Sequence, residues 1–308
     1  MNDQIASRIK EQPAMGRSAI LDFIELMKPE LTGLSVLTAL CGYYLGAVTV
    51  NGVDFFLTGL GTLLLGGGAG ALNQYAERSF DLLMKRTERR PLPAGRLNPD
   101  QVLFFGILTS TVGLLILFLG LNVLTGVLGV ATFVLYLFVY TPLKRKTWTA
   151  TLVGAIPGAL PPVIGWTAAG GSLDLSAGIL FLILFLWQIP HFLSLAWMYR
   201  KDYARAGYKM LTVVDESGTR AAMQSLLYCS ALIPAALAMT FVGTTGTMYG
   251  IGSVLLGTAF LLFAVQFRKY TRKSLGEQVL VNQHARLLFF ASLMYLPALF
   301  FLMTVDKV

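Results

Sequence analysis

Charge is scarce in this chain, and so are the side chains that hold metals and cross-links. Of 308 residues only 13% are charged, about half the share an ordinary soluble domain carries. Two cysteines, Cys41 and Cys229, stand far apart in apolar stretches. They imply neither a disulfide framework nor a metal pair and read as small core residues. No haem-attachment Cys-x-x-Cys-His, Walker loop, zinc pattern or Gly-x-Ser-x-Gly elbow occurs. Nothing resembles a cleaved signal peptide, and no linker or low-complexity stretch divides the chain. Residues 1–30 are polar and read as a tail with a short interfacial segment bearing Arg8, Lys10, Arg17 and Lys28; residues 31–308 read as one domain.

What is abundant is apolar: 55% of the residues are hydrophobic and 31 are glycine. A helix crossing the hydrocarbon needs roughly 20 apolar residues. Nine stretches qualify, near 31–50, 55–76, 101–121, 123–142, 149–170, 175–198, 223–243, 246–267 and 287–304. The expected fold is therefore an all-α polytopic membrane bundle, its glycines letting helices approach closely. The net charge of +8 fits membrane orientation and anionic lipid rather than nucleic acid. All but one of the 24 basic residues fall in the tail or in the segments after spans 2, 4, 6 and 8; the exception is Lys307. The positive-inside rule predicts a cytoplasmic N-terminus, with the long loops on that side. Nine spans would put the C-terminus outside. The loops after spans 2 and 6 are both long and carboxylate-bearing, which suggests a weak repeat of four-helix units with a ninth span appended.

Two polar stretches stand out. In Asn73-Gln-Tyr-Ala-Glu77-Arg78-Ser-Phe-Asp81, positions 73, 77 and 81 are spaced by four. They share one helix face over about 12 Å. Two carboxylates and an amide oxygen make a hard-oxygen strip, the ligand type that Mg²⁺ prefers when it bridges a few carboxylates to phosphate. Lys85, Arg86, Arg89 and Arg90 follow, cations suited to a bound diphosphate. The plainer reading is an ordinary helix end, with Glu77 and Asp81 paired to Arg78 and Lys85. Against it stands Asn73, a polar group inside an apolar span, where such groups are costly and usually functional. The second stretch, Tyr199 to Leu211, carries Lys201, Asp202, Tyr203 and Arg205. Asp202 is a candidate for a second metal or for orienting its cations, or simply a solvated loop residue. Between the two lies Tyr140-Thr-Pro-Leu-Lys144-Arg145-Lys146, either a plain basic loop or further phosphate contacts. His191, in Trp187-Gln-Ile-Pro-His191-Phe, reads as a hydrogen-bonded core residue or as a ligand.

At these residues the chain resembles the UbiA superfamily of intramembrane prenyltransferases, and within it the haem-farnesylating branch. The first aspartate-rich motif, Asn-x3-(Asp/Glu)-x3-Asp, is matched by Asn73, Glu77 and Asp81. The run that follows is matched by Met84, Arg86, Thr87, Arg90, Pro91-Leu92-Pro93 and Gly95. Tyr140-Thr141 with Leu143-Lys144-Arg145 and Thr147 looks like the next signature. Pro161-Pro162, Gly165-Trp166, Trp187-Gln188, Pro190-His191-Phe192, Asp202-Tyr203-Ala204 and Tyr295-Leu296-Pro297 follow in the expected order, and the likeness runs from about residue 24 to 300. It implies an Mg²⁺-dependent transfer of farnesyl from farnesyl diphosphate to a vinyl group of haem. On that reading Asn73, Glu77, Asp81 and Asp202 are metal-binding and catalytic. Arg78, Lys85, Arg86, Arg90, Lys144, Arg145 and Lys201 hold the diphosphate, and His191, Tyr140 and Tyr203 meet the haem. It also implies membrane lipid and haem-pathway proteins such as a haem A synthase as partners. Two departures from the superfamily pattern stand out: Tyr199 and Tyr203 replace aspartates common in its second motif, which resembles the haem branch but leaves only Asp202 for a second Mg²⁺, and Thr149-Ala150-Thr151 stands where this branch is expected to have an asparagine. A quinone-type aromatic acceptor, and membrane transport, are the alternative readings.

Overall fold

The computed structural model describes residues 18–273 and 278–308. Arg8, Lys10 and Arg17 of the tail lie outside the described residues, as do the side chains of Arg272 and Lys273. The described chain is helical, and no strand forms in it; one isolated bridge joins Thr245 to Lys307.

In chain order the helices are α1 (Ala19–Leu26), α2 (Pro29–Gly46), α3 (Gly52–Asp81), α4 (Pro99–Leu115), α5 (Val123–Val134), α6 (Thr141–Leu143), α7 (Ala150–Gly158), α8 (Pro161–Gly170), α9 (Leu175–Met198), α10 (Arg200–Arg205), α11 (Leu211–Val214), α12 (Thr219–Phe241), α13 (Thr247–Lys273) and α14 (Gln278–Val305). Two π-helical segments, Ile116–Leu121 and Leu135–Tyr140, extend α4 and α5. Among the described residues eight helical stretches are long and apolar enough to cross a membrane: Gly52–Asp81, Pro99–Leu121, Val123–Leu143, Ala150–Gly170, Leu175–Met198, Thr219–Phe241, Thr247–Thr271 and Val279–Val305. The first of the nine expected spans is not among them. It forms α2, only 18 residues long, with Pro29 and Glu30 in its first turn and three threonines or serines diluting its apolar run.

The turn residues act as their chemistry dictates. Asn51 caps α3 by accepting from the amides of Val53 and Asp54. Asn122 and Asp174 cap α5 and α9 in the same way. Pro29, Pro99 and Pro161 occupy first-turn positions, where a missing N–H costs nothing. The expected span 149–170 is two helices. Pro161-Pro162 cannot continue the ladder of α7, so the chain breaks at Ala159-Leu160. Gln188 of α9 reaches into the break, its amide donating to the carbonyl of Ala155 at 2.8 Å.

α2 packs on α3 and, most closely, on α8. A Cβ on Gly42 would stand 2.0 Å from the Pro162 carbonyl oxygen, and one on Gly165 would stand 1.7 Å from that of Ala39, so only glycine permits this approach. α3 packs on α4; α9 packs on α12 and α14; α13 packs on both α12 and α14. The largest apolar core joins α9, α12, α13 and α14 through Leu180, Ile183, Trp197, Leu232, Phe267 and Leu299. Cys229 is buried within it and Cys41 packs at its edge, both unbridged. α14 returns to touch α2, and Lys307 donates to the Tyr44 and Ala47 carbonyls at the C-terminal end of α2, at 2.6 and 2.5 Å.

Candidate active site

The site is built on the last two turns of α3. Glycines at 66, 67, 68 and 70 bring the preceding part of α3 against its neighbours. A Cβ on Gly70 would lie 3.3 Å from the Leu26 carbonyl oxygen and 3.7 Å from Lys28 Cδ, so Gly70 leaves room for the link between α1 and α2. The next polar residues, Asn73, Gln74, Glu77 and Asp81, are all buried.

The i, i+4 spacing places Asn73 and Glu77 in contact: Asn73 Nδ2 donates to Glu77 Oε2 at 3.1 Å and to Thr141 Oγ1 at 3.0 Å. Each member of the strip then meets one cation, and each cation comes from a different segment. Lys28 Nζ donates to Asn73 Oδ1 at 2.8 Å. Lys144 Nζ pairs with Glu77 Oε1 at 2.6 Å. Arg90 pairs with Asp81 Oδ2 at 2.8 Å. Thr87 fixes the loop that carries Arg90 by donating to the Asp81 carbonyl at 2.8 Å.

Aromatic rings wall the strip. The π-helical segment Leu135–Tyr140 widens the turn at the end of α5, a distortion common at functional sites. It brings Tyr136, whose hydroxyl lies 3.4 Å from Lys28 Nζ, and Tyr140, whose ring lies 4.8 Å under Lys144 Nζ. Gly154 seats Tyr140, since a Cβ there would fall 2.5 Å from the ring. Tyr208 closes the other side of Lys144. Burial alone would lower the Lys144 ammonium; Glu77 beside it, with Tyr140, Tyr136 and Tyr208, more than reverses this and holds it above the ordinary lysine value. Burial, reinforced by Glu77, pushes the Tyr208 phenol up. Lys28 goes the other way: burial, with Arg90 and Lys144 adding repulsion, pushes it down to about 7.

The remaining candidates divide. Arg86 donates to the Tyr203 hydroxyl at 3.1 Å and lies over the Tyr199 ring at 4.9 Å, so it links the loop after α3 to α10. Arg145 stacks over Phe80 at 4.2 Å, and both line a cavity of about 430 Å³ with Pro142, Lys146, Ala206 and Gly207. Arg78 turns back on its own helix, donating to the Tyr75 carbonyl at 2.7 Å. Lys85 and Lys201 are exposed. Asp202 pairs with Arg205 one turn on, and no hydrogen bond or ion pair among the described residues joins it to Asn73, Glu77 or Asp81. His191 is half-buried, its ring stacked between Trp187 at 5.1 Å and Phe289 at 4.9 Å. Its Nδ1 lies 2.8 Å from Ser292 Oγ, and Ser292 donates its one proton to the Phe289 carbonyl.

Sequence reasoning missed Lys28, Tyr136 and Tyr208 as part of this cluster. The one signal for Lys28 was a cation directly against the first span, beside Pro29.

The strip fits a hard divalent cation. Asp81 Oδ1 is buried with no hydrogen-bond donor, a costly state for a carboxylate oxygen unless a cation meets it. Among the described residues no three His, Cys, Asp or Glu side chains converge. Two carboxylates and an amide form an incomplete shell, which suits Mg²⁺ completed by water and phosphate oxygens.

A polytopic helical bundle with a buried acidic strip and converging cations at one end is the architecture of an intramembrane enzyme acting on an anionic substrate. The UbiA prenyltransferase family matches residues 35–294, and the chain belongs to that family. It is 45% identical over 296 residues to the protoheme IX farnesyltransferase of Solibacter usitatus, covering 93% of this chain and 98% of the relative. It is also 45% identical over 286 residues to that of Salinibacter ruber, covering 92% and 98%. In fold it is similar to a digeranylgeranylglyceryl phosphate synthase, with a TM-score of 0.76 at 13% identity over 93% of this chain and 98% of the other. A UbiA homolog from Archaeoglobus fulgidus bound to DMAPP and Mg²⁺ aligns with a TM-score of 0.62 at 14% identity, over 90% and 99%.

Proposed function

We propose that this protein transfers the farnesyl group of farnesyl diphosphate to a vinyl group of protohaem IX, with addition of water, giving haem O and diphosphate. The observation that carries this reading is 45% identity along almost the whole length of relatives named protoheme IX farnesyltransferase. The site supplies the matching chemistry.

Asn73, Glu77 and Asp81 would hold Mg²⁺, which on binding neutralises charge on the leaving diphosphate. Lys144, Arg90 and Arg86 face the same anion, with Arg145 beside them. These cations stabilise the charge that develops on the diphosphate as the allylic C–O bond breaks, and do so in a water-poor, aromatic-walled setting where electrostatic stabilisation is strong. The farnesyl carbon then forms a bond to the terminal carbon of the haem vinyl group. Water adds to the cationic carbon beside the pyrrole and loses a proton, which leaves a hydroxyalkyl group. Tyr140 shields the allylic centre. His191 meets the haem, its ring clamped by Trp187 and Phe289 and its Nδ1 beside Ser292. The basic end of the bundle faces the cytoplasm, and the product passes to the next haem-modifying enzyme, of the haem A synthase kind.

The test is purified protein in lipid nanodiscs with haem B, farnesyl diphosphate and Mg²⁺, with mass analysis of the haem and measurement of diphosphate. Expected is a farnesylated, hydrated haem formed in step with diphosphate. Unchanged haem, with 4-hydroxybenzoate prenylated in its place, would establish the quinone-type reading. Movement of substrate without diphosphate release would establish transport.

A further inference from the structure

Three cations meet the acidic strip, and they are not equivalent. Lys144 and Arg90 each hold one oxygen of a carboxylate that has a second. Lys28 holds the only oxygen of an amide. A dication that takes Asn73 Oδ1 as a ligand would compete with Lys28 for that one oxygen and repel its charge at close range, whereas Lys144 and Arg90 each leave a second carboxylate oxygen.

The link that carries Lys28 is pinned. The Gln74 side chain donates to the Leu26 carbonyl at 3.1 Å, and Thr32 Oγ1 donates to the Met27 carbonyl at 2.6 Å. The Lys28 carbonyl accepts from the amides of Leu31 and Thr32. Lys28 itself sits at φ 51°, the one non-glycine residue with positive φ among the described residues. A lysine held in that disfavoured region by flanking contacts is a pattern found at functional sites. An ammonium displaced from Asn73 would therefore move by side-chain rotation about a fixed backbone. With a dication held on the strip it would stand beside a diphosphate carrying more negative charge than the metal neutralises.

We propose that Lys28 is a diphosphate-binding residue: it rests on Asn73 Oδ1 and transfers to a phosphate oxygen when the strip takes up its metal. This rests on the metal and diphosphate roles inferred above. It makes metal and diphosphate binding mutually reinforcing, because each relieves the contact the other disrupts.

The test is calorimetric titration of the full chain in nanodiscs with inorganic pyrophosphate in the presence of Mg²⁺, and with Mg²⁺ alone. Lys28→Met removes the charge. Lys28→Gly removes it and also suits the positive φ, so one of the pair reports even where the other misfolds. Lys28→Arg keeps the charge. A charge-assisted hydrogen bond lost from a phosphate predicts pyrophosphate binding about tenfold weaker or more in both neutral variants. Lys28→Arg should stay near wild type, and Mg²⁺ alone should bind the neutral variants as well as or better than wild type. Pyrophosphate affinity unchanged in both neutral variants, with tighter Mg²⁺, would reduce Lys28 to a placeholder cation and overturn the proposal. Wild type that binds no pyrophosphate with Mg²⁺ would instead remove the diphosphate reading on which it rests.

Discussion

The two polar stretches that the sequence sets four spans apart are built in opposite ways. Around Asn73, Glu77 and Asp81 the acidic groups are buried, and their cations arrive from the α1–α2 link, the loop after α3 and the segment after α6. Around Asp202 the carboxylate pairs with its own neighbour Arg205, and the tyrosines on either side, Tyr199 and Tyr203, face Arg86. The first region is an electrostatic junction between distant segments; the second is a local ion pair with an aromatic shelf. The difference teaches that a carboxylate whose counter-charges belong to other elements ties those elements together, whereas one paired with its own neighbour does not. Counter-charges from other elements can part from the carboxylate when a ligand brings its own charge. A buried pair of this kind contributes little net stability while intact, yet losing one partner costs about 3–5 kcal/mol.

Perturbing each region in turn sharpens or breaks this contrast. The largest effect is expected from Asp81→Asn, which removes the carboxylate that has an unmet buried oxygen. Turnover of farnesyl diphosphate and haem should fall by about 100-fold or more with helix content retained. Asp202→Asn in the same assay should change turnover by less than about threefold; equal losses would erase the distinction. Next, stripping divalent ions with a chelator should abolish haem farnesylation, and Mg²⁺ should restore it. Activity that survives chelation would leave the strip as a purely organic ion-pair network. A smaller effect is expected from Tyr203→Phe, which deprives Arg86 of one acceptor. One lost hydrogen bond is worth about 0.5–1.5 kcal/mol, so KM for farnesyl diphosphate should rise severalfold with kcat nearly kept. The smallest effect on chemistry belongs to Lys307→Met, at the end of the chain. It removes the cation from the carbonyls of Tyr44 and Ala47, and should cost about 1 kcal/mol of stability by thermal unfolding without altering turnover.

Much of the bundle was legible because the signals were local. Apolar runs located most of the spans. The four-residue period set Asn73 and Glu77 within hydrogen-bonding distance, as the spacing predicts. The short α2 was less legible, because Gly42 and Gly46 serve close packing on α8 and Pro29, Glu30 and its threonines dilute its apolar run. The break at Ala159-Leu160 lay within a run that length alone reads as one span. Among the cations, Lys144 and Arg90 stood in basic segments beside recognisable motifs. Arg78 shared the helix end with Glu77, yet it turns to the carbonyl and ring of Tyr75 on its own helix. Lys28 looked like one more orienting charge of the tail, since its partner lies 45 residues on.

By itself, then, the sequence determined which segments are helical, which end of the bundle is basic, and that two carboxylates and an amide share one face of α3. Those are properties of hydrogen bonding and periodicity over a few residues. Tertiary structure alone decided which three of many cations meet that face, and that His191 lies against Ser292 and Phe289. Most of those pairings join segments far apart in the chain. They are set by glycine-mediated helix approach, by the widened turn before Thr141 and by the cost of leaving a buried charge unmatched.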